Sequence, residues 1–229
     1  MWSSEKIGII VVIILTAFFV VSFFLGRSLN YRLQRNIYRF VAREIKPYFK
    51  KITYATYGSN AFSLIFPVEE KKEAPFKTLE ATALLMDREN IAHYLYSKIK
   101  GDCDKLIIKA TLNLKRKHKF FLELVSRNSV FFKKAEKAYA NLKDVKLKEF
   151  TGDFLVKTSN TQLAKEILDL LLRIAFFKDI KPNILRLSIS PKKPNLILVY
   201  NIEKPVHGIF RFLWEYGKML NNVLQTKSR

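Results

Sequence analysis

Residues 7–25 read IGIIVVIILTAFFVVSFFL, without one charged side chain. As a helix, this stretch is about 28 Å long, the thickness of one bilayer core. A cleaved signal sequence has a shorter apolar region and leaves through small residues. Here the exit is Phe23-Phe24-Leu25-Gly26-Arg27, so the reading is a retained transmembrane helix. Lys6 is the basic residue before it; Arg27, Arg32, Arg35, Arg39 and Arg43 follow it. The positive-inside rule then puts the C-terminal side in the cytosol and residues 1–6, a short N-terminus, on the other side.

The helix is expected to continue past Gly26, as a basic amphipathic juxtamembrane helix over residues 26–56. Leu29, Leu33, Ile37, Phe40, Val41 and Tyr48 recur at three- and four-residue steps. Arg32, Arg35, Arg39, Arg43, Lys46 and Lys50 recur likewise. At about 100° per residue the two sets form separate stripes. Pro47 should end or kink the helix near Lys46. The basic stripe is either a solvated face touching lipid headgroups or a rail for nucleic-acid phosphates.

Composition agrees with a split chain. Its 229 residues carry 41 Lys+Arg against 20 Asp+Glu, a formal net charge of +21. Hydrophobic residues make up 49%, and the mean hydropathy of -0.01 averages an apolar span with a very basic remainder. Disorder is excluded by the apolar fraction. The charge implies a polyanionic neighbour: RNA, DNA or an anionic membrane face. A single cysteine, Cys103, excludes an internal disulfide framework.

Beyond the juxtamembrane helix the pattern predicts a cytosolic α+β domain over 57–229, an antiparallel sheet covered by helices. Phe62–Phe66 reads as a strand stopped by Pro67, and Glu69–Lys77 as a charged loop. Two related β-α-β-β-α halves follow, offset by about 75 residues. The first has strand Leu79–Met86, a helix from Asp87 to Ile99, strands Leu106–Leu114 and Lys119–Val125, and a helix from Ser129 to Leu142. The second has strand Phe154–Lys157, a helix from Asn160 to Phe177, strands Ile184–Ile189 and Leu196–Ile202, and a helix from Val206 to Leu224. Asp87 is a plausible N-cap, and Ser159 and Gln162 have capping-box spacing. Pro205 suits a first helical turn, and Pro191-Lys-Lys-Pro194 breaks the last strand pair.

Phosphate-loop, dinucleotide, nucleophile-elbow and zinc-protease motifs are all missing. His93, His118 and His207 fall on three separate elements, and acidic neighbours should raise the thiol pKa of Cys103. No enzyme, metal or cofactor is expected. The densest charge cluster, Lys115, Arg116, Lys117 and Lys119 around His118, is placed at the tip of a Leu106–Val125 hairpin. With Arg32, Arg35, Arg39 and Arg43 it forms the candidate phosphate or ribosome contact. No aromatic residues interleave to stack bases, so such a contact would read phosphates and not sequence. Helix 160–177 and the last helix carry more apolar surface than one core contact needs. Leu168, Leu172, Phe176, Phe210 and Trp214 are the candidate contacts for a partner or client helix; burial between core layers is the alternative.

The segment order resembles the calumin family, the coiled-coil-domain subunit of the PAT complex. Asp104-Lys-Leu-Ile-Ile-Lys-Ala-Thr-Leu-Asn113 is similar to that family's I-K-x-T-hydrophobic-N strand. Asn195-Leu-Ile-Leu-Val-Tyr-Asn-Ile202 resembles its apolar strand ending in N-hydrophobic, and Gly26 with Leu29–Ala42 resembles the stretch after its span. The likeness runs over about Phe24 to Leu224. It omits the family's acidic lumenal region and coiled-coil tail, so calcium binding and a tail-borne ribosome contact do not carry over. It implies a translocon accessory factor that assists insertion or chaperoning of multipass membrane proteins. The implied partners are the ribosome (rRNA and ribosomal protein), a Sec-type channel, a small companion membrane protein and nascent transmembrane segments. The implied membrane is that of the endoplasmic reticulum in a eukaryote or the cytoplasmic membrane in an archaeon. A membrane-anchored domain that binds anionic lipid headgroups is the alternative.

Overall fold

The structure is a computed structural model and describes residues 4–49, 51–67, 74–203 and 205–226. Lys50 of the basic stripe, residues 1–3 and most of the Glu69–Lys77 loop lie outside them. Helix α1 runs unbroken over Ser4–Ile45. Among the described residues it is the one helix long and apolar enough to cross a membrane, and its most apolar window is not buried at all. Past Gly26 the same helix becomes a core element. Gly26, Asn30, Gln34, Ile37, Val41 and Ile45 face inward at helical spacing, and Val41 and Ile45 are fully buried. The helix expected over 26–56 ends at Ile45, because the chain turns at Pro47, which cannot continue the hydrogen-bond ladder, and Thr53–Thr56 is a strand.

One nine-stranded antiparallel sheet makes up the rest of the core. Its strands are β1 (Thr53–Thr56), β2 (Ala61–Pro67), β3 (Phe76–Leu84), β4 (Lys105–Leu112), β5 (Leu122–Ser126), β6 (Lys143–Asp144), β7 (Phe154–Thr158), β8 (Ile184–Ile189) and β9 (Leu196–Asn201). Between them lie α2 (Ile91–Ile99), α3 (Phe132–Ala138), α4 (Lys148–Thr151), α5 (Thr161–Arg173) and α6 (Phe177–Ile180), and α7 (Ile209–Thr226) follows β9. The order across the sheet is β1-β2-β3-β4-β9-β8-β5-β7-β6. Leu64, Ala81, Ile108, Leu198, Leu187, Leu124 and Val156 are in register on one face. They pack with α1, α5 and α7 into a single core. On the other face the almost fully buried Glu123 pairs with Arg186 and accepts from Ser188 Oγ at 2.6 Å. The Arg186 guanidinium also reaches Tyr139 Oη at 3.2 Å.

The predicted Leu106–Val125 hairpin does not form: β4 pairs with β3 and β9, and β5 with β8 and β7. Its two strands lie three places apart, about 14 Å. Residues 113–121 can reach more than 25 Å extended, enough to cross the ends of β9 and β8. The predicted last strand pair does form, as β8–β9. The two halves therefore repeat element order but not pairing, and they interleave, since β5 lies between β8 and β7.

Helix ends moved for local reasons. Asn90, not Asp87, caps α2 by accepting from His93 N, and Asn160, not Ser159, caps α5 by accepting from Leu163 N. Ser159 Oγ instead accepts from Phe121 N, tying two strand ends together. Helix α3 is shorter than 129–142, and α7 starts after Pro205, at Ile209. Helix α5 stops at Arg173 because Ile174 is extended. The chain then turns, which brings Ile174, Phe177 and Ile180 into the core.

Candidate functional site

The sheet has two ends, and α1 distinguishes them. At one end Asn30 Nδ2 donates to Met86 O at 3.1 Å, and Gln34 Nε2 donates to Gly58 O and Ser59 O at 2.9 and 2.8 Å. Farther along, Phe49 packs on Phe66, near the opposite end of β2. Helix α1 therefore runs along β2, from the near end, where the apolar span leaves, toward the far end. The nine residues of β3 separate these ends by about 30 Å.

The predicted basic cluster lies at the far end. Residues 113–121 leave the end of β4 and cross to the start of β5 at the end of the sheet where the β8–β9 turn also lies. That crossing strap is pinned. Asn113 N donates to Pro75 O at 2.9 Å, and Phe121 N donates to Ser159 Oγ at 3.0 Å. His118 and Phe120 are buried, whereas Lys115, Arg116, Lys117 and Lys119 are exposed. Burial pushes the His118 pKa down, with only partial offset from the Phe120 backbone, so a neutral ring anchors a cationic strap.

Sequence reading missed two further members of this cluster. Lys192 and Lys193 are exposed in the β8–β9 turn, which Ser190 and Asn195 close by backbone and side-chain hydrogen bonds. The signal was present in Pro191-Lys-Lys-Pro194, but only the sheet order shows that the strap and this turn share one end of the sheet. Among the described residues, none of these six basic side chains makes an ion pair. An open groove of about 410 Å³ adjoins Lys115, lined also by Asn113, Lys218 and Asn222. Such an arrangement can neutralise several phosphates at once without reading bases.

Arg32, Arg35, Arg39 and Arg43 are all exposed along the outer face of α1. They form a separate stripe that starts beside the apolar span.

The predicted apolar contact residues separate. Leu168 and Phe210 are 0% and 3% exposed and belong to the core, so neither offers surface to a partner. The excess of apolar residues expected over 160–177 is absorbed because the chain turns at Ile174 and carries Ile174, Phe177 and Ile180 into the core. Phe176 is half-buried beneath the Arg211 guanidinium, 4.7 Å from its ring centre. Trp214 is half-buried against Tyr48, Phe49 and Phe76. Leu172 remains exposed.

The half-buried Cys103 thiol has its pKa pushed up to about 11, chiefly by burial, with Glu203, Asp102 and Asp104 adding to the effect. That makes it a poor nucleophile at neutral pH. No group of three or more potential metal ligands occurs among the described residues. The chain matches no protein-family model and none of the curated proteins.

Proposed function

We propose that this chain is a non-enzymatic, single-pass membrane protein whose domain docks a polyanion on the cytosolic side. The observation that carries the reading is the far-end cluster of Lys115, Arg116, Lys117, Lys119, Lys192 and Lys193. It lies about 30 Å along the sheet from the end where the apolar span leaves. Charge attraction in physiological salt fades over about 8 Å, so this cluster is aimed at something other than the bilayer of its own anchor. Ribosomal RNA at a protein-conducting channel fits that position, and it agrees with the resemblance to the calumin family. The role is then that of a translocon accessory factor in multipass insertion. Its neighbours would be ribosomal protein, a Sec-type channel, a small companion membrane protein and nascent transmembrane segments. The membrane would be that of the endoplasmic reticulum or an archaeal cytoplasmic membrane.

The test is co-sedimentation of the full chain in mild detergent with ribosomes across a salt series. Changing Lys115, Arg116, Lys117 and Lys119 to Glu should weaken association sharply. The slope of log affinity against log salt should become shallower by about 3–4, since each lost phosphate contact removes about 0.7–0.9. Unchanged binding by a folded variant would overturn the assignment. Protease added to the cytosolic face of sealed vesicles should cut the exposed loops past Arg27, whereas a domain cut only after detergent opens the vesicles would overturn the orientation.

A second reading has its own support. The exposed Arg32–Arg43 stripe begins beside the span and suits anionic lipid headgroups. Binding of the quadruple variant to anionic vesicles, with ribosome binding lost, would assign the two basic surfaces to different partners.

A further inference from the structure

Helix α2 has no buried side chain. Ile91, Tyr94 and Ser97 are half-buried toward the protein, and Ala92, Leu95, Tyr96 and Ile99 are exposed. At about 100° per residue those four fall within one 100° arc, a continuous apolar stripe along the helix. Ile99 is 83% exposed, more than any large apolar side chain of residues 7–25. The stripe is not a fraying end. Asn90 caps the helix, and Lys98 ties its last turn to Glu203.

The position of α2 says what covers the stripe. It packs against α1 at the near end of the sheet. The Arg88 carbonyl, two residues before the cap, sits against Gly26. Ser22 is partly shielded, although its neighbours Phe23, Phe24 and Leu25 are exposed. Ser22 lies about 6 Å before Gly26 along the helix, inside the apolar span. Through Arg88, helix α2 therefore sits beside Gly26, the residue that follows that span. Its polar rim suits that place: His93 and Lys100 flank the stripe, and the Lys100 ammonium lies 5.5 Å from the Tyr96 ring centre. Tyrosine and lysine at such a rim put apolar bodies in the acyl region and polar tips among headgroups.

We propose that α2 is an interfacial helix that lays Leu95, Tyr96 and Ile99 into the cytosolic headgroup–acyl boundary of the bilayer α1 spans. This rests on reading α1 as a membrane anchor. The domain is then held at two points, a spanning helix and an in-plane helix, which fixes its tilt. A lone span would leave the domain free to swivel.

The test uses the full chain with Cys103→Ser, in vesicles of phosphatidylcholine and phosphatidylserine. One environment-sensitive fluorophore is attached to a single introduced cysteine: Leu15→Cys in the span, Ile99→Cys on α2, or Lys192→Cys at the far end. Lipids doxylated deep in the chain should quench the label at 15, lipids doxylated near the headgroup the label at 99, and only aqueous iodide the label at 192. Adding Leu95→Asp should shift the label at 99 toward iodide quenching. If the label at 15 is quenched by lipid and that at 99 is as open to iodide as that at 192, the interfacial helix is refuted and the anchor stands. If the label at 15 escapes lipid quenching, the anchor fails and the proposal with it. Shielding of position 99 from both lipid and iodide would mean that a second copy covers α2, which also overturns it.

Discussion

The carbonyl oxygen of Arg88 occupies the place a side chain on Gly26 would need: a β-carbon there would lie 1.8 Å from it. Backbone meets backbone at this point, with Asn30, Arg88 and Asp104 hydrogen-bonded beside it. Gly26 lets the apolar part of α1 join the domain without a linker. Gly26→Ala should push the Met86–Asn90 loop off α1. Overpacking of this kind costs about 1–3 kcal/mol, or a fall in Tm of about 2–12 °C for a domain of this size. Thermal unfolding in detergent reads it; an unchanged Tm would mean the close approach is absent.

On the proposed ribosome contact, Lys192→Glu with Lys193→Glu should weaken co-sedimentation although neither residue lies on the strap. If both meet phosphates, the salt slope falls by about 1.4–1.8. Stability should stay within about 0.5 kcal/mol, because both are exposed. An effect equal to zero would confine the contact to the strap.

Phe210→Ala and Leu172→Ala should differ by their burial. Phe210 packs on Phe66 inside the core, so its loss should cost about 3–5 kcal/mol. Leu172 is exposed, and its loss should cost less than about 0.5 kcal/mol. Equal Tm shifts from circular dichroism would contradict this packing.

His118 should make the domain acid-sensitive. Its folded pKa is lowered by burial, so between that value and the usual 6.5 the unfolded chain binds more protons. Stability therefore falls as pH drops below about 6.5, and is fully present above it. His118→Leu should flatten the dependence of denaturation midpoint on pH between about 7 and 5. An unchanged slope would place the acid sensitivity elsewhere.

The α+β class, the long first helix and most strand positions were legible because two- and three-to-four-residue periodicities are local. The pairing of β4 with β9 was not. Leu106 and Tyr200 face each other across the sheet, and nothing near either residue encodes the other. The nine-residue strap looked like a hairpin loop, as either would be basic and exposed. Asn90 and Asn160 took capping positions that neighbouring Asp87 and Ser159 suited equally well by residue type. The cluster at Lys115–Lys119 was readable, but its enlargement by Lys192 and Lys193 depended on topology. The exposed face of α2 was written in Leu95, Tyr96 and Ile99. A helix of that pattern ordinarily turns such residues inward, and only its place beside Gly26 shows otherwise.

The union of the proposed membrane anchor and the core in α1 would impose an order on synthesis. The anchor is made first, with Val41 and Ile45 ready to be buried, and β4 soon after. Yet Lys105 of β4 must wait for Asn201 of β9, and α7 comes later still. At about 5–20 residues per second, those hundred or so residues take on the order of 5–20 s. Through that interval a chain anchored as proposed is tethered but unfinished, with an open strand edge that invites wrong pairing. A nascent chain truncated before β9 should hold to the membrane and be cut freely by protease, so attachment and folding are separable events with attachment first.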